Sequence, residues 1–308
     1  MIKSINPKEL STAAFHGYLL GAVAPRPIAF ASTIDKEGRV NLSPFSFFNA
    51  FGANPPTLIF SPARRVRDNT TKHTLENVYE VPEVVINIVN YAMVEQMSLA
   101  STEYDKGINE FIKAGLTEEA SSLVRPPRVQ EAPASFECKV TQVIETGTEG
   151  GAGNLIICEV VLAHFKEEIL DENGKIDPFK IDAVARMGGN WYCRANGEAL
   201  FEIPKPITSK GIGIDQMPDY IRNSPVLTGN NLGRLANIEQ IPAEEEIKVF
   251  AEDPEIQEIR KRFYMDTESL QNHLHALAQR YLKAGKVKEA WLVLLQEQRM
   301  KGPETGNA

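Results

Sequence analysis

Cysteine is scarce in this 308-residue sequence: Cys138, Cys158 and Cys193 are odd in number and far apart. They form no CxxC pair and no cysteine–histidine group with zinc spacing. That argues against a disulfide framework or a structural zinc, and leaves three structural thiols as the expectation. No apolar run approaches the ~20 residues that cross a bilayer. The opening MIKSINPKELSTAAF has no signal-type apolar core, so a cytosolic protein without membrane association is expected. No GxGxxG follows a strand candidate, and HExxH, P-loop and nucleophile-elbow patterns are missing. Of five histidines, only His73 stands in a candidate site. Without a triad or a metal set, any chemistry is expected to come from an organic cofactor. Basic excess is also lacking: the net charge of −8 disfavours nucleic acid as a partner.

What is present is ordinary for a globular chain, with 43% hydrophobic and 24% charged residues. The length suggests about two domains. The charge is uneven. Residues 252–308 balance nine basic against nine acidic side chains, so the first 251 residues carry the whole excess. Inside that acidic part, Arg64, Arg65, Arg67 and Lys72 crowd into nine residues against Asp68 alone.

Patterning divides the chain in three. Residues 25–200 read mainly as strands. One runs from Pro27 to Ile34, turns at Asp35-Lys36-Glu37-Gly38 and returns through Val40 and Leu42. Others follow at 57–61, 84–89, 136–144 and 155–165, and short helices are expected over 72–81 and 92–102. Short strands with hairpin turns and few crossover helices favour a barrel over a parallel α/β sheet. Residues 204–251 are punctuated by Pro204, Pro206, Pro218, Pro225 and Pro242 and read as an extended segment wrapping the barrel or reaching a partner subunit. From 252 to 308 the apolar steps Ile256, Ile259, Phe263 and Leu270, Leu274, Leu277, Tyr281, then Ala290 and Leu294, read as a helical hairpin broken at Gly285. Such a pair suits packing or a protein partner.

Three segments carry the chemistry. The basic run, followed by Thr70, Thr71, Lys72, His73 and Thr74, lies between a strand and a helix. Arginines, hydroxyls and a helix start, with Thr70 or Thr71 as its cap, suit an anion; a solvated loop is the other reading. Asn41, Ser43, Pro44, Phe45, Ser46 and Phe47 set small polar groups beside flat rings. That suits a planar heteroaromatic ligand, or equally a barrel strand with core phenylalanines. Gly188 and Gly189 before Trp191 and Tyr192 permit close backbone approach to a ligand, or simply a tight turn.

The run from Pro25 to Asp35, with Gly38, Asn41, Ser43-Pro44-Phe45-Ser46-Phe47-Phe48 and Pro55-Pro56, resembles the flavin reductase-like family. So do Lys72-His73-Thr74-Leu75-Glu76-Asn77, Asn109-Glu110-Phe111, Ala114-Gly115-Leu116, Phe136-Glu137-Cys138 and the Gly188-Gly189 turn. The resemblance covers about residues 10–200. It implies a mainly β fold, an FMN-binding split barrel over residues 1–203 with short peripheral helices; the segment 204–251 and the hairpin 252–308 lie beyond it and rest on patterning alone. It also implies a homodimer with FMN near the subunit interface. The phosphate would sit near Arg64, Arg67, Lys72 and Thr74. The ring would lie along Ser32, Thr33 and residues 43–47, near Gly188 and Gly189, with NADH or NADPH as reductant. His73 stands where the family commonly has Asp and would add positive potential when protonated. A non-enzymatic flavin-binding or interaction protein and a pyridoxamine-phosphate-oxidase-like oxidase remain open alternatives.

Overall fold

Apolar alternation sets the strands. In the computed structural model, which describes residues 1–205 and 210–297, β1 (Ala29–Ile34) sends Ala29 and Ala31 to one face and Phe30 to the other. Both faces are covered, so the strand is buried almost throughout. At Asp35-Lys36-Glu37-Gly38 the chain reverses. Gly38 takes φ +86°, and the Asp35 carboxylate accepts from Arg39 N at 2.8 Å and Arg39 Nε at 2.6 Å.

The strands that follow are β2 (Val40–Phe45), β3 (Phe48–Ala53), β4 (Pro56–Phe60), β5 (Glu83–Ile88), β6 (Glu118–Glu119), β7 (Arg128–Val129), β8 (Ala134–Glu145), β9 (Asn154–Phe165), β10 (Val184–Arg186) and β11 (Tyr192–Arg194). Seven form one antiparallel sheet in the order β2-β1-β5-β8-β9-β4-β3. Laid flat, seven strands span six gaps of ~4.8 Å, about 29 Å. The edge strands are β2 and β3, yet only Ser46 and Phe47 separate them in the chain. Three residue steps reach ~11 Å at most. The sheet must therefore roll until these edges approach, and no β2–β3 pairing among the described residues closes the seam. The result is a split barrel, mainly β, as the strand pattern anticipates.

Residues from β1, β2, β4, β5, β8 and β9 converge on the barrel interior, where Phe45, Phe60, Ile86, Ile156, Cys138 and Cys158 pack with Leu75 and Val78 of α2 (His73–Glu80). This unit also holds α1 (Thr12–Ala22), α3 (Val94–Leu99) and α4 (Glu110–Ala114). The outer face packs Phe30 and Leu42 against Met97 of α3 and Phe111 of α4. Burial pushes the Cys138 thiol up to about 12 and the Cys158 thiol well above its ordinary value, so both behave as small apolar groups.

One buried carboxylate ties a loop to the barrel. Glu137 on β8 is fully buried. It accepts from Ser122 N (2.8 Å) and Leu123 N (2.6 Å) and shares a 2.7 Å hydrogen bond with His164 Nε2. Burial alone would raise its pKa; the three hydrogen bonds outweigh burial and hold it below 4.5. Glu137→Ala should cost ~3 kcal/mol at neutral pH by stranding these donors. A depressed pKa contributes stability above the unfolded value and loses it as pH falls through the folded one. Denaturant titrations of the two proteins should therefore show a gap at neutral pH that narrows as the pH falls below the ordinary carboxylate range; a gap independent of pH would contradict the assignment.

The chain divides at Phe201/Glu202 into two units. In the second, the helices are α5 (Asp219–Arg222), α6 (Gly229–Ala236), α7 (Glu244–Phe250), α8 (Pro254–Phe263), α9 (Thr267–Lys283) and α10 (Val287–Leu294). They share one core in which Trp291 is fully buried and donates from Nε1 to Leu235 O at 3.0 Å. The expected extended segment 204–251 is thus corrected: within its described residues it carries three helices, and Ile221, Leu235 and Ile247 enter the same core as Leu274 and Leu294. The helical reading beyond 252 resolves into three helices, with Gly285 at φ +81° before α10. Pro206 and residues 298–308 lie outside the described residues.

Candidate functional site

The loop between β4 and α2 is folded by its own backbone. Arg65 N donates to Thr70 O and Asn69 N to Arg65 O, both at 2.9 Å, with Asn69 at φ +57°. This turn decides where each cation points. Arg64 folds back onto Asn69, donating to Oδ1 at 2.7 Å and to O at 2.8 Å. Arg67 stays 68% exposed beside Asp68. Arg65, only 15% exposed, bridges Thr70 Oγ1 (2.9 Å) and Thr71 O and meets Glu103 Oε1 at 3.0 Å. Lys72 Nζ reaches the same oxygen at 3.3 Å, and Arg67 reaches Oε2. Burial works to raise the Glu103 pKa, but its three cationic partners bring it down to about 2.

Arg65, Lys72, Thr74, Asn41, Ser43 and Glu103 line one small cleft at the start of α2. Thr70 and Thr71, the cap residues the sequence suggests, do not cap this helix. Lys72 is the cap residue and makes no side-chain cap bond, since an ammonium has no acceptor to offer; Thr70 is bonded instead to Asp68 and Thr71 to Glu76. First-turn N–H groups of an uncapped helix are donors without an intrahelical partner. Below them Asn41 Nδ2 donates to Thr74 Oγ1 (2.9 Å), and Leu42 N donates to Glu110 Oε2 (2.9 Å). Burial raises the Glu110 pKa against that backbone donor. The positive potential expected of His73 requires its protonated form. Burial lowers its pKa below 6.5, Glu76 opposes this, and Arg65, Lys106 and Lys72 lower it further, so that form is disfavoured.

A second group of residues gathers around Arg26, which is buried. Its guanidinium donates to Leu20 O (2.6 Å) and Val23 O (2.5 Å) at the end of α1, to Met187 O (2.9 Å), and to Ser46 Oγ (3.3 Å). One side chain thus holds together α1, the turn after β10 and the connection between β2 and β3. Gly188 in that turn lies so close to α1 that a Cβ would stand 3.1 Å from Gly21 Cα, and Gly189 takes φ +58°. Phe47 is exposed, its ring 5.9 Å from that of His16.

Of the residues read as candidates, the cleft gathers Asn41, Ser43, Lys72 and Thr74, and Arg26 gathers Ser46 and Gly188, with Phe47 and Gly189 beside them. The structure seals three others inside the unit. Ser32 and Thr33 are fully buried, the latter accepting from Asn77 Nδ2 at 3.2 Å. Phe45 packs on Phe60 in the barrel, ring centres 5.5 Å apart. Ser32 and Thr33 present no surface to a ligand, and Phe45 keeps only 8% of its own exposed. Pro44, partly exposed, pairs with Phe30 on β1. Arg64 folds onto Asn69 and does not line the cleft, whereas Arg67 meets it through Glu103. Arg65 and Glu103 take their place, and Arg26 had not been singled out. Only the membership of Arg65 in the basic run pointed to it; Glu103 lies 38 residues further on, with no local signal.

A wide apolar surface accompanies the site. Helix α1 buries none of its residues despite Phe15, Tyr18, Leu19 and Leu20. Edge strand β3 is exposed along most of its length, Phe51 at 64%, and Trp191 is 77% exposed.

Comparison with known proteins gives a consistent result. Residues 21–180 match the family model for the flavin reductase like domain. An uncharacterised protein of Aquifex aeolicus is 39% identical over 196 residues, 64% of this chain and 97% of that one. The solved structure of nitrilotriacetate monooxygenase component B from Bacillus cereus superposes with a TM-score of 0.62 at 31% identity, covering 66% of this chain and 99% of that one. That of 2-nitrobenzoate 2-nitroreductase from Pseudomonas fluorescens gives 0.57 at 28% identity, covering 68% and 100%.

Proposed function

The chain belongs to the flavin reductase-like family, and from that premise we propose that it is an FMN-binding flavoprotein that reduces flavin with NADH or NADPH. The observation that carries this reading is the cleft at the start of α2. Two cations, a serine hydroxyl and uncapped helix N–H groups form a donor set suited to a phosphate monoester. Ser46 lies three residues along the chain from Ser43, about 10 Å in extended backbone. A five-carbon ribityl chain with its phosphoester covers a similar span. At that far end Phe47 offers an apolar face and the Gly188–Gly189 turn offers backbone, which suit a flat ring with polar edges.

In this reading Lys72 and Arg65 hold the phosphate, Ser43 and Asn41 line the path, and Arg26 fixes the segments that flank the ring. When bound, the flavin supplies the hydride acceptor, so the chain's task is alignment and exclusion of water rather than proton transfer by a triad. Purified protein mixed with FMN and NADH or NADPH should oxidise the nicotinamide in a flavin-dependent manner. Binding of FMN with no oxidation of either nucleotide would instead mark a flavin carrier without reductase activity.

The exposed faces of α1 and β3 support a homodimer, since monomers seldom leave an apolar area of this kind open. A charge there should be far less tolerable in an assembly than in a monomer. Phe51→Glu is expected to convert a dimer into monomers in light scattering after gel filtration. A monomeric unmodified protein would refute this part of the reading.

A further inference from the structure

The cleft is not an open cationic pocket. Glu103 sits against Arg65, Arg67 and Lys72 at once. The other nearby carboxylates are engaged elsewhere: Asp68 with Thr70 and Arg67, Glu76 with Thr71 and Lys106, and Glu110, which also lines the cleft, with Leu42 N. Glu103 therefore makes the same contacts that a phosphate would make, charge-assisted donors converging on one anionic group. We propose that Glu103 is a built-in anion of the phosphate seat, displaced when a phosphate monoester enters, and that it sets the affinity and selectivity of the site. This rests on the reading of the cleft as a phosphate seat.

The exchange is one anion for another. With a pKa near 2 the Glu103 carboxylate is charged throughout the functional range, so a ligand displaces it through its own charge rather than by protonation. A dianionic phosphate offers more charge and more acceptor oxygens to the three cations than a carboxylate does. A monoanion gains little by the exchange. The seat is thereby held in shape when vacant and discriminates in favour of phosphate. The half-exposed geometry keeps the cost of displacement modest.

Glu103→Gln removes the competing charge while keeping the side-chain length. Fluorescence titration should show FMN binding about tenfold tighter to the variant than to unmodified protein, a difference of ~1.4 kcal/mol. Riboflavin, with or without added inorganic phosphate, should bind both alike. The unliganded variant should melt at a lower temperature, because three cations are left facing one another, and inorganic phosphate should restore more of its melting temperature than it adds to the unmodified protein. If unmodified protein binds FMN and the variant binds it equally or more weakly, Glu103 is a positioning group and the proposal fails. If neither binds FMN, the flavin reading fails, and the phosphate melting arm alone decides: greater stabilisation of the variant sustains the displaced-anion role, and equal or no stabilisation ends it. Should the Gln variant not fold, Glu103→Asp, which draws the carboxylate back by one methylene, should shift FMN affinity in the same direction.

Discussion

Replacing Arg65 and Lys72 together by alanine is expected to weaken FMN by two to three orders of magnitude while riboflavin changes by no more than about twofold. Each cation contributes a charge-assisted contact to the phosphate, of order 1.5–3 kcal/mol. The loss is deepened by Glu103, which the double variant leaves beside the phosphate with only Arg67 to offset it. Riboflavin has the same ring and ribityl chain without the phosphate, so it isolates the seat. Arg64→Ala serves as the contrast. Its guanidinium closes the loop onto Asn69, so its removal should loosen the loop and affect both ligands to a similar, small extent. An equal fall for FMN and riboflavin in the double variant would place the phosphate elsewhere.

The second large effect is expected at Arg26. Arg26→Met should lower the stability of the first unit by ~3–5 kcal/mol and abolish flavin binding at the temperatures where the native protein binds it. The buried guanidinium serves four acceptors on three separate segments. Two of them are carbonyls at the C-terminal end of α1, where a cation also meets the negative end of the helix dipole. Methionine fills the volume and supplies none of these donors, so the carbonyls lose their partners. Arg26→Lys should rescue little, since an ammonium cannot fork across acceptors spread this way. Thermal melts of the three proteins, read with FMN affinity, test this. A lysine variant that binds FMN normally would show that Arg26 contributes charge alone.

Much of the fold was legible because period and turn chemistry agree. The stretch from Pro27 to Ile34, its Gly38 turn, and the β-branched runs of β5 and β9 carry strand signals that tertiary packing has no reason to override. The helices of the second unit that precede Asp253 were not legible, for two reasons. They are four to eight residues long, too short for a 3.6-residue period to repeat. One of the prolines that suggested a loop, Pro218, is a helix cap residue, where proline costs nothing. At the site, the basic run announced an anion but not which arginine would face it. That choice is made by the left-handed residue Asn69 and the tight Arg65–Thr70 turn. Glu103 and Arg26 were not legible as site residues for a different reason. The cations around Glu103 lie 31 to 38 residues away. Arg26, though inside the Pro25–Asp35 run, ties α1 to segments 20 and 161 residues off that only the fold brings near. Ser32, Thr33 and Phe45 show the converse. A residue within a segment that resembles a ligand-binding family can serve the core behind the site.

The central claim is that this split barrel holds FMN with its phosphate in the cleft of Arg65 and Lys72. The most direct measurement is a paired fluorescence titration of the purified, unmodified protein with FMN and with riboflavin. The account predicts saturable FMN binding in the micromolar range or tighter, one flavin per chain, with riboflavin markedly weaker. No saturable FMN binding, or equal affinity for the two flavins, would contradict it.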